Sequence, residues 1–162
     1  MVELERLRAD HLDALLAFER TNRAYFARSI PDRGDAFFAE FPARLQALLD
    51  EQDAGVCHFH VVLDEDGELI GRMNLMDAEG GTAELGYRVA ESASGRGVAT
   101  AAVREVCRLS TTAYGLTGIT ARVTLDNVAS RTVLERNGFT VTGTFTLNDR
   151  PAVHYARVHL GH

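Results

Sequence analysis

The sequence predicts an α/β fold: a mixed, largely antiparallel sheet with helices on both faces, in the order β-α-α-β-β-β-α-β-α-β-β. Three observations predict it. Two N-terminal runs carry apolar residues at helical spacing. Residues 56–89 switch to strand-like runs, broken by turns at "DEDG" (64–67) and "AEGG" (78–81). Beyond them, strand-like and helical runs alternate, so the unit over 82–125 is expected to be a right-handed crossover between parallel strands. With 162 residues, 46% hydrophobic and 25% charged, the chain reads as one domain, residues 1–162, with a packed core.

Residues 2–8 alternate and read as a strand. Asp10 is placed as the N-cap of an amphipathic helix through Leu12, Leu15, Leu16 and Phe18. Pro31 and Gly34 mark a loop. Asp35 is placed as the cap of a second helix carrying Phe37, Phe38, Phe41, Leu45, Leu48 and Leu49, with its aromatic trio assigned to the core. An antiparallel meander follows and ends in the strand Thr82–Val89. From Gly97 a helix runs to about Thr112, with Val98, Ala102, Val103, Val106 and Leu109 inward. Residues 118–125 are β-rich, and a short helix over 128–136 stops at "NG" (137–138), where Gly138 takes the left-handed cap. "FTVTGTFTL" and "VHYARVHL" form a closing hairpin around "NDRP".

Composition excludes several classes. The net charge of -6 argues against nucleic-acid binding. No apolar run reaches the ~18 residues of a membrane span. The start, "MVELERLRAD", lacks the apolar stretch of a signal peptide, and a cytoplasmic protein is expected. Cys57 and Cys107 read as core thiols of a reducing compartment. His58 and His60 alternate on one strand face and are assigned to surface or cleft; no metal site is expected.

The chemistry gathers around "ASGRGVATAAVREV" (93–106). A dinucleotide loop needs a third glycine where Thr100 stands, and a phosphate-binding P-loop needs a Gly-Lys pair that is absent. What remains is a strand, a glycine loop and a helix N-terminus, whose outward N–H groups and dipole suit a pyrophosphate. Arg96 can add a charged contact. A plain connecting loop would fit the same residues.

The second signal is "DNVASRTVLERNGF" (126–139). Together with "AELGYRV" and "GRGVATAAV", and "NR" at 22–23, it resembles the GNAT superfamily of N-acetyltransferases, most closely the RimJ/RimL type that acetylates ribosomal-protein N-termini. The resemblance spans nearly the whole chain. It implies acetyl-CoA as co-substrate and a splayed parallel strand pair that receives the pantetheine arm. It places the arm along Tyr87, Arg88 and Val89, and the pyrophosphate on Ser94, Gly95, Arg96, Gly97, Val98, Ala99 and Thr100. The family pattern has Gln or Arg where this chain has Ser94, so one side-chain contact is lost or passes to Arg96. Asn127 is expected to bond the arm or hold the loop, and equally suits a helix cap.

Acetyl transfer needs a neutral amine, a polarised carbonyl and a proton for the departing thiolate. Glu84 is the candidate base, by position and by resemblance; it would otherwise be a carboxylate that only binds a cationic substrate. Relatives often place a tyrosine acid seven residues after the motif asparagine; here Leu134 stands there. Ser130 is the candidate proton donor in its place, with a helix-start serine as the alternative. Val89 N–H is the oxyanion donor by resemblance, and His154 a reserve base. The acceptor groove is assigned to Asn22, Arg23, Tyr25, Phe26 and Arg28 and to the last hairpin, with Asn148, Asp149, Arg150 and Tyr155; Asp32, Asp77 and Asp149 are loop acids that a cationic amine could meet.

The expected reaction is acetyl transfer to a primary amine, either a protein N-terminus, ribosomal or other, or a small molecule. No nucleic-acid or membrane partner is expected, and the protein is a monomer or a homodimer. A non-catalytic acyl-CoA sensor on the same fold is the alternative, and a nucleotide enzyme is disfavoured by the motif mismatches.

Overall fold

The computed structural model describes residues 2–159. One seven-stranded sheet carries the chain, in the order β1-β2-β3-β4-β5-β7-β6. The strands are β1 (Glu3–Arg6), β2 (His58–Leu63), β3 (Leu69–Glu79), β4 (Thr82–Val89), β5 (Gly118–Thr124), β6 (Thr140–Leu147) and β7 (Arg150–Val158). Every neighbouring pair is antiparallel except β4 and β5, which are parallel and joined through helix α5 (Val98–Thr112). The mixed, largely antiparallel sheet with one parallel pair is the predicted class.

Each face of the sheet has its own core. Against one face pack α5 and α6 (Val128–Arg136), through Val98, Ala102, Val103, Val106 and Leu134. The other is covered by α1 (Leu12–Thr21), α2 (Arg23–Phe26), α3 (Asp35–Ala39) and α4 (Phe41–Asp53), through Leu15, Phe18, Phe26, Phe37, Phe41 and Leu45. At ~1.5–3 kcal/mol per buried large apolar side chain, either layer outweighs any single polar contact described below.

The N-terminal third departs from the expected two helices. Pro42 divides the second at Glu40, because proline offers no N–H and its ring would strike the carbonyl of Phe38 in a continuous helix. Neither predicted acidic cap holds. Asp10 lies in a single 3-10 turn and accepts from Arg8, while the ring of His11 takes the Arg8 N–H at 3.0 Å. Asp35 accepts from Arg23, and Gly34, at φ 86°, stands at the cap position.

Elsewhere the boundaries agree closely with expectation. Gly138 takes a φ of 82° after α6, and Asn148 and Asp149 form the tip of the last hairpin with φ of 51° and 62°. In α5, Ser110 rather than Leu109 faces fully inward; its hydroxyl donates to Cys107 O and meets His159 Nε2. His60 is buried, not a surface or cleft residue: its ring bonds Met73 O and Tyr114 Oη, while Tyr114 stacks on His58 at 3.8 Å. Burial holds the His60 imidazole down at about 4, so it stays neutral. Cys57 and Cys107 are both free and buried, and burial pushes both thiols up.

Candidate active site

The site is built where β4 and β5 part. They pair only from Thr82–Gly118 to Leu85–Ala121, although β4 continues to Val89 and β5 to Thr124. Each keeps its outer partner along that stretch, β4 with β3 to Val89–Gly71 and β5 with β7 to Thr124–Ala152. The sheet therefore opens between two otherwise paired strands. Ala90 N–H donates to Ile70 O at 2.8 Å, so by alternation Arg88 and Gly86 turn their backbone groups to β3. Those of Tyr87 and Val89 face the gap, where an extended amide chain would satisfy them.

A cleft of about 480 Å³ occupies this opening. Tyr25, Phe26 and Ile30 line one side; Tyr87, Arg88 and Val89 come from β4; Asn127, Ser130 and Val133 come from α6 and its N-cap. The end of the cleft is the glycine loop and the first turn of α5, with Ser94, Gly95, Gly97, Val98, Ala99 and Thr100 in its wall.

Gly95 and Gly97 have φ of 74° and 76°, the left-handed region that other residues enter at a cost, and this is why the loop needs both. Gly97 stands at the N-cap of α5, and no side chain caps the helix. Its first N–H groups are thus left for a ligand, at the positive end of a 15-residue helix. The side chains of the loop do less. Ser94 Oγ donates to Glu91 O at 2.9 Å, and Arg96 folds back on Ser92 O at 3.3 Å, outside the cleft wall. Asn137, buried at the end of α6, donates to Thr100 O at 3.2 Å and fastens α6 to the first turn of α5.

Asn127 caps α6: its Oδ1 accepts from Ser130 N–H at 3.2 Å. Ser130 Oγ shares a 2.8 Å hydrogen bond with Tyr87 Oη. This pairing was not read from the sequence, because it joins residues from β4 and α6. Burial raises the Tyr87 phenol above its ordinary value, so it stays protonated across the neutral range.

The opposite face of β4 carries Glu84, Gly86 and Arg88. Glu84 lies outside the cleft wall and accepts from Arg122 Nε at 3.1 Å and Nη2 at 3.0 Å. Arg122 stands opposite His154 in the β5–β7 register, and the His154 ring stacks on Phe145. Arg88 donates to Glu19 Oε1 at 2.7 Å, and Arg72 to Glu19 Oε2 at 2.8 Å. The buried Glu19 was missed, yet it had a signal: it continues the stripe of Leu12 and Leu15 at helical spacing, where a carboxylate needs a buried cation.

The acceptor-side assignments divide. Tyr25 lines the cleft. Arg23 pairs with Asp32 and Asp35 and lies over Phe38, bracing the loop after α2. Two other assignments are corrected. Asn22 is buried and spends its side chain on Phe18 O and Glu91 N–H, tying α1 to the glycine loop. Tyr155 is 1% exposed; it alternates with His154 and so turns to the α6 face, where it donates to Glu135 and accepts from Arg131. Neither offers a free group to an acceptor. Asp126 and Arg150 form an ion pair beside the α6 start. Among the described residues no group of three or more His, Cys, Asp or Glu could hold a metal ion, and no helix is long and apolar enough to cross a membrane.

The model of the acetyltransferase (GNAT) domain matches residues 2–140. The chain belongs to the GNAT acetyltransferase family. Among solved structures, it is similar to the ribosomal-protein-S5-alanine acetyltransferase of Vibrio fischeri, with a TM-score of 0.89, 19% identity, and coverage of 98% of this chain and 93% of that one. It is also similar to RimJ of Mycobacterium smegmatis in complex with CoA-disulfide, with a TM-score of 0.87, 26% identity, and coverage of 97% and 81%. An uncharacterized N-acetyltransferase, p20, of Bacillus licheniformis is 32% identical over 87 residues, 52% of this chain and 49% of that protein. The chain thus spans about half the length of the curated relative it matches.

Proposed function

We propose that this GNAT domain, a single cytoplasmic unit, transfers an acetyl group from acetyl-CoA to a primary amine, in a complex that holds both substrates. The observation that carries the reading is the parting of β4 from β5 beside the uncapped start of α5. The donors fit the co-substrate: backbone N–H groups for a diphosphate, strand edges for the amides of pantetheine, and a cleft of about 480 Å³ between them. The CoA compound bound to the similar RimJ supports the same choice. Two free, buried cysteines suit a reducing compartment.

Acetyl-CoA supplies the acetyl group as a reactive thioester. Val98, Ala99 and Thr100 hold the diphosphate with their N–H groups, and Tyr87 and Val89 hold the arm. The backbone N–H of Val89 donates to the carbonyl oxygen as negative charge develops there. Glu84 takes a proton from the acceptor ammonium, directly or through a water, so that the nitrogen lone pair is free. Ser130 hydrogen-bonds the departing sulfur, and Tyr87, protonated and bonded to Ser130, backs it. A hydrogen bond from the Tyr87 phenol polarises the Ser130 hydroxyl and strengthens it as a donor to the sulfur.

The test is release of free thiol from acetyl-CoA in the presence of a panel of amines: N-terminal peptides, amino acids and polyamines. The reading expects acceptor-dependent release. CoA binding without release for any amine would contradict it and favour an acyl-CoA sensor.

A further inference from the structure

The acceptor face of β4 is electrically lopsided. Glu84 is matched by Arg122. Four residues further along, the single carboxylate of Glu19 is shared by two guanidiniums, those of Arg72 and Arg88. Glu19 is 1% exposed, and the side chains of Arg72 and Arg88 are 11% and 13% exposed. The triad therefore keeps one positive charge in excess where water screens it little. Burial holds the Arg88 guanidinium below its usual range, and Arg33 and Arg72 repel it further, against the attraction of Glu19.

Arg88 is also the member of the triad that reaches the cleft, where it lines the wall beside Tyr25 and Phe26. Its guanidinium carbon lies 4.5 Å from the centroid of the Phe26 ring. Of its five N–H donors, one is bonded to Glu19, and no other acceptor is bonded to it among the described residues. A partly unpaired guanidinium at the edge of a cavity suits a carboxylate. Arg88 lies four residues along β4 from Glu84, with Gly86 between them beneath the methyl of Met76.

We infer that the acceptor is an amine that also carries a carboxylate, and that Arg88 receives this carboxylate at the cleft wall. This rests on the acetyl-transfer reading and narrows it. Two sources supply such a group: a free amino acid, or a protein N-terminus with an acidic residue among its first positions. A polyamine, cationic throughout, would meet the excess positive charge and is disfavoured.

Two arms of the thiol-release assay test this with the wild-type protein. The first compares L-alanine and L-aspartate with their carboxamides; the second compares C-terminally amidated peptides Ser-Asp-Ala-Ala and Ser-Asn-Ala-Ala. A carboxamide lowers the basicity of the neighbouring amine, so intrinsic reactivity favours the amide and a carboxylate preference cannot come from it. The inference expects kcat/KM at least about tenfold higher for the carboxylate in one arm, the scale of a lost charge-assisted hydrogen bond. The arm that shows it names the source. Arg88→Met leaves Glu19 paired with Arg72 alone and should bring that ratio to within about threefold of one. Should the variant fail to fold, the wild-type arms decide. Release that differs less than twofold between carboxylate and carboxamide in both arms overturns the inference alone. No release with any amine overturns the acetyl-transfer reading and this inference with it.

Discussion

The two faces of β4 do different jobs with different materials. Toward α5 and α6, the site is largely backbone: N–H groups of a helix start, the open edge of a strand, and two glycines with positive φ. Its one side-chain pair, Tyr87 with Ser130, is the one proposed to meet the departing sulfur. Toward α1–α4, the site is made of side chains: Glu84 with Arg122, and Arg88 with Glu19 and Arg72. Backbone recognition suits a ligand that never changes, and side-chain recognition can be retuned residue by residue. On the proposed assignment, the cofactor side is a property of the fold and the acceptor side a property of this chain.

Substitutions on the two faces should separate accordingly. The largest effect is expected from Glu84→Gln, which removes the proposed base and its pairing with Arg122. Turnover should fall about 10²-fold, while CoA affinity measured by calorimetry stays within a factor of two. Equal turnover across pH would remove Glu84 from proton transfer and blur the division between faces. Ser130→Ala tests the cofactor side at the sulfur. A loss in kcat of the same order is expected; one below about twofold, far short of a lost proton-transfer group, would reject its role. Gly97→Val should do the reverse of Glu84→Gln. The left-handed conformation costs a β-branched residue at least about 1–2 kcal/mol, so CoA should bind about tenfold or more weakly through a displaced helix start. The smallest effect belongs to Tyr87→Phe, expected to lower kcat a few-fold by removing the partner of Ser130. In the wild type no loss of rate from Tyr87 ionisation is expected below pH ~10, because burial raises its pKa.

The same division explains what could be read from the sequence. The glycine loop, α5 and the α6 start were legible because each is a short contiguous stretch whose turn residues and caps determine its local geometry. The β2–β4 meander was legible through its turns. Asn22 and Tyr155 were misassigned because motif position and hairpin position say nothing about which way a side chain turns; one residue of register separates Tyr155 from the opposite face. The break at Pro42 was overlooked because the apolar spacing runs on through it. The Glu19 triad joins α1, β3 and β4, residues 53 and 69 positions apart, and only the assembled sheet brings them together.

A structure of the protein with acetyl-CoA tests the central claim most directly. The account predicts the diphosphate on the N–H groups at the start of α5, the pantetheine along Tyr87 and Val89 in the parting of β4 and β5, and the thioester between Ser130 and the Glu84 face. A diphosphate bound elsewhere, or an acetyl group pointing away from both Ser130 and Glu84, would contradict it.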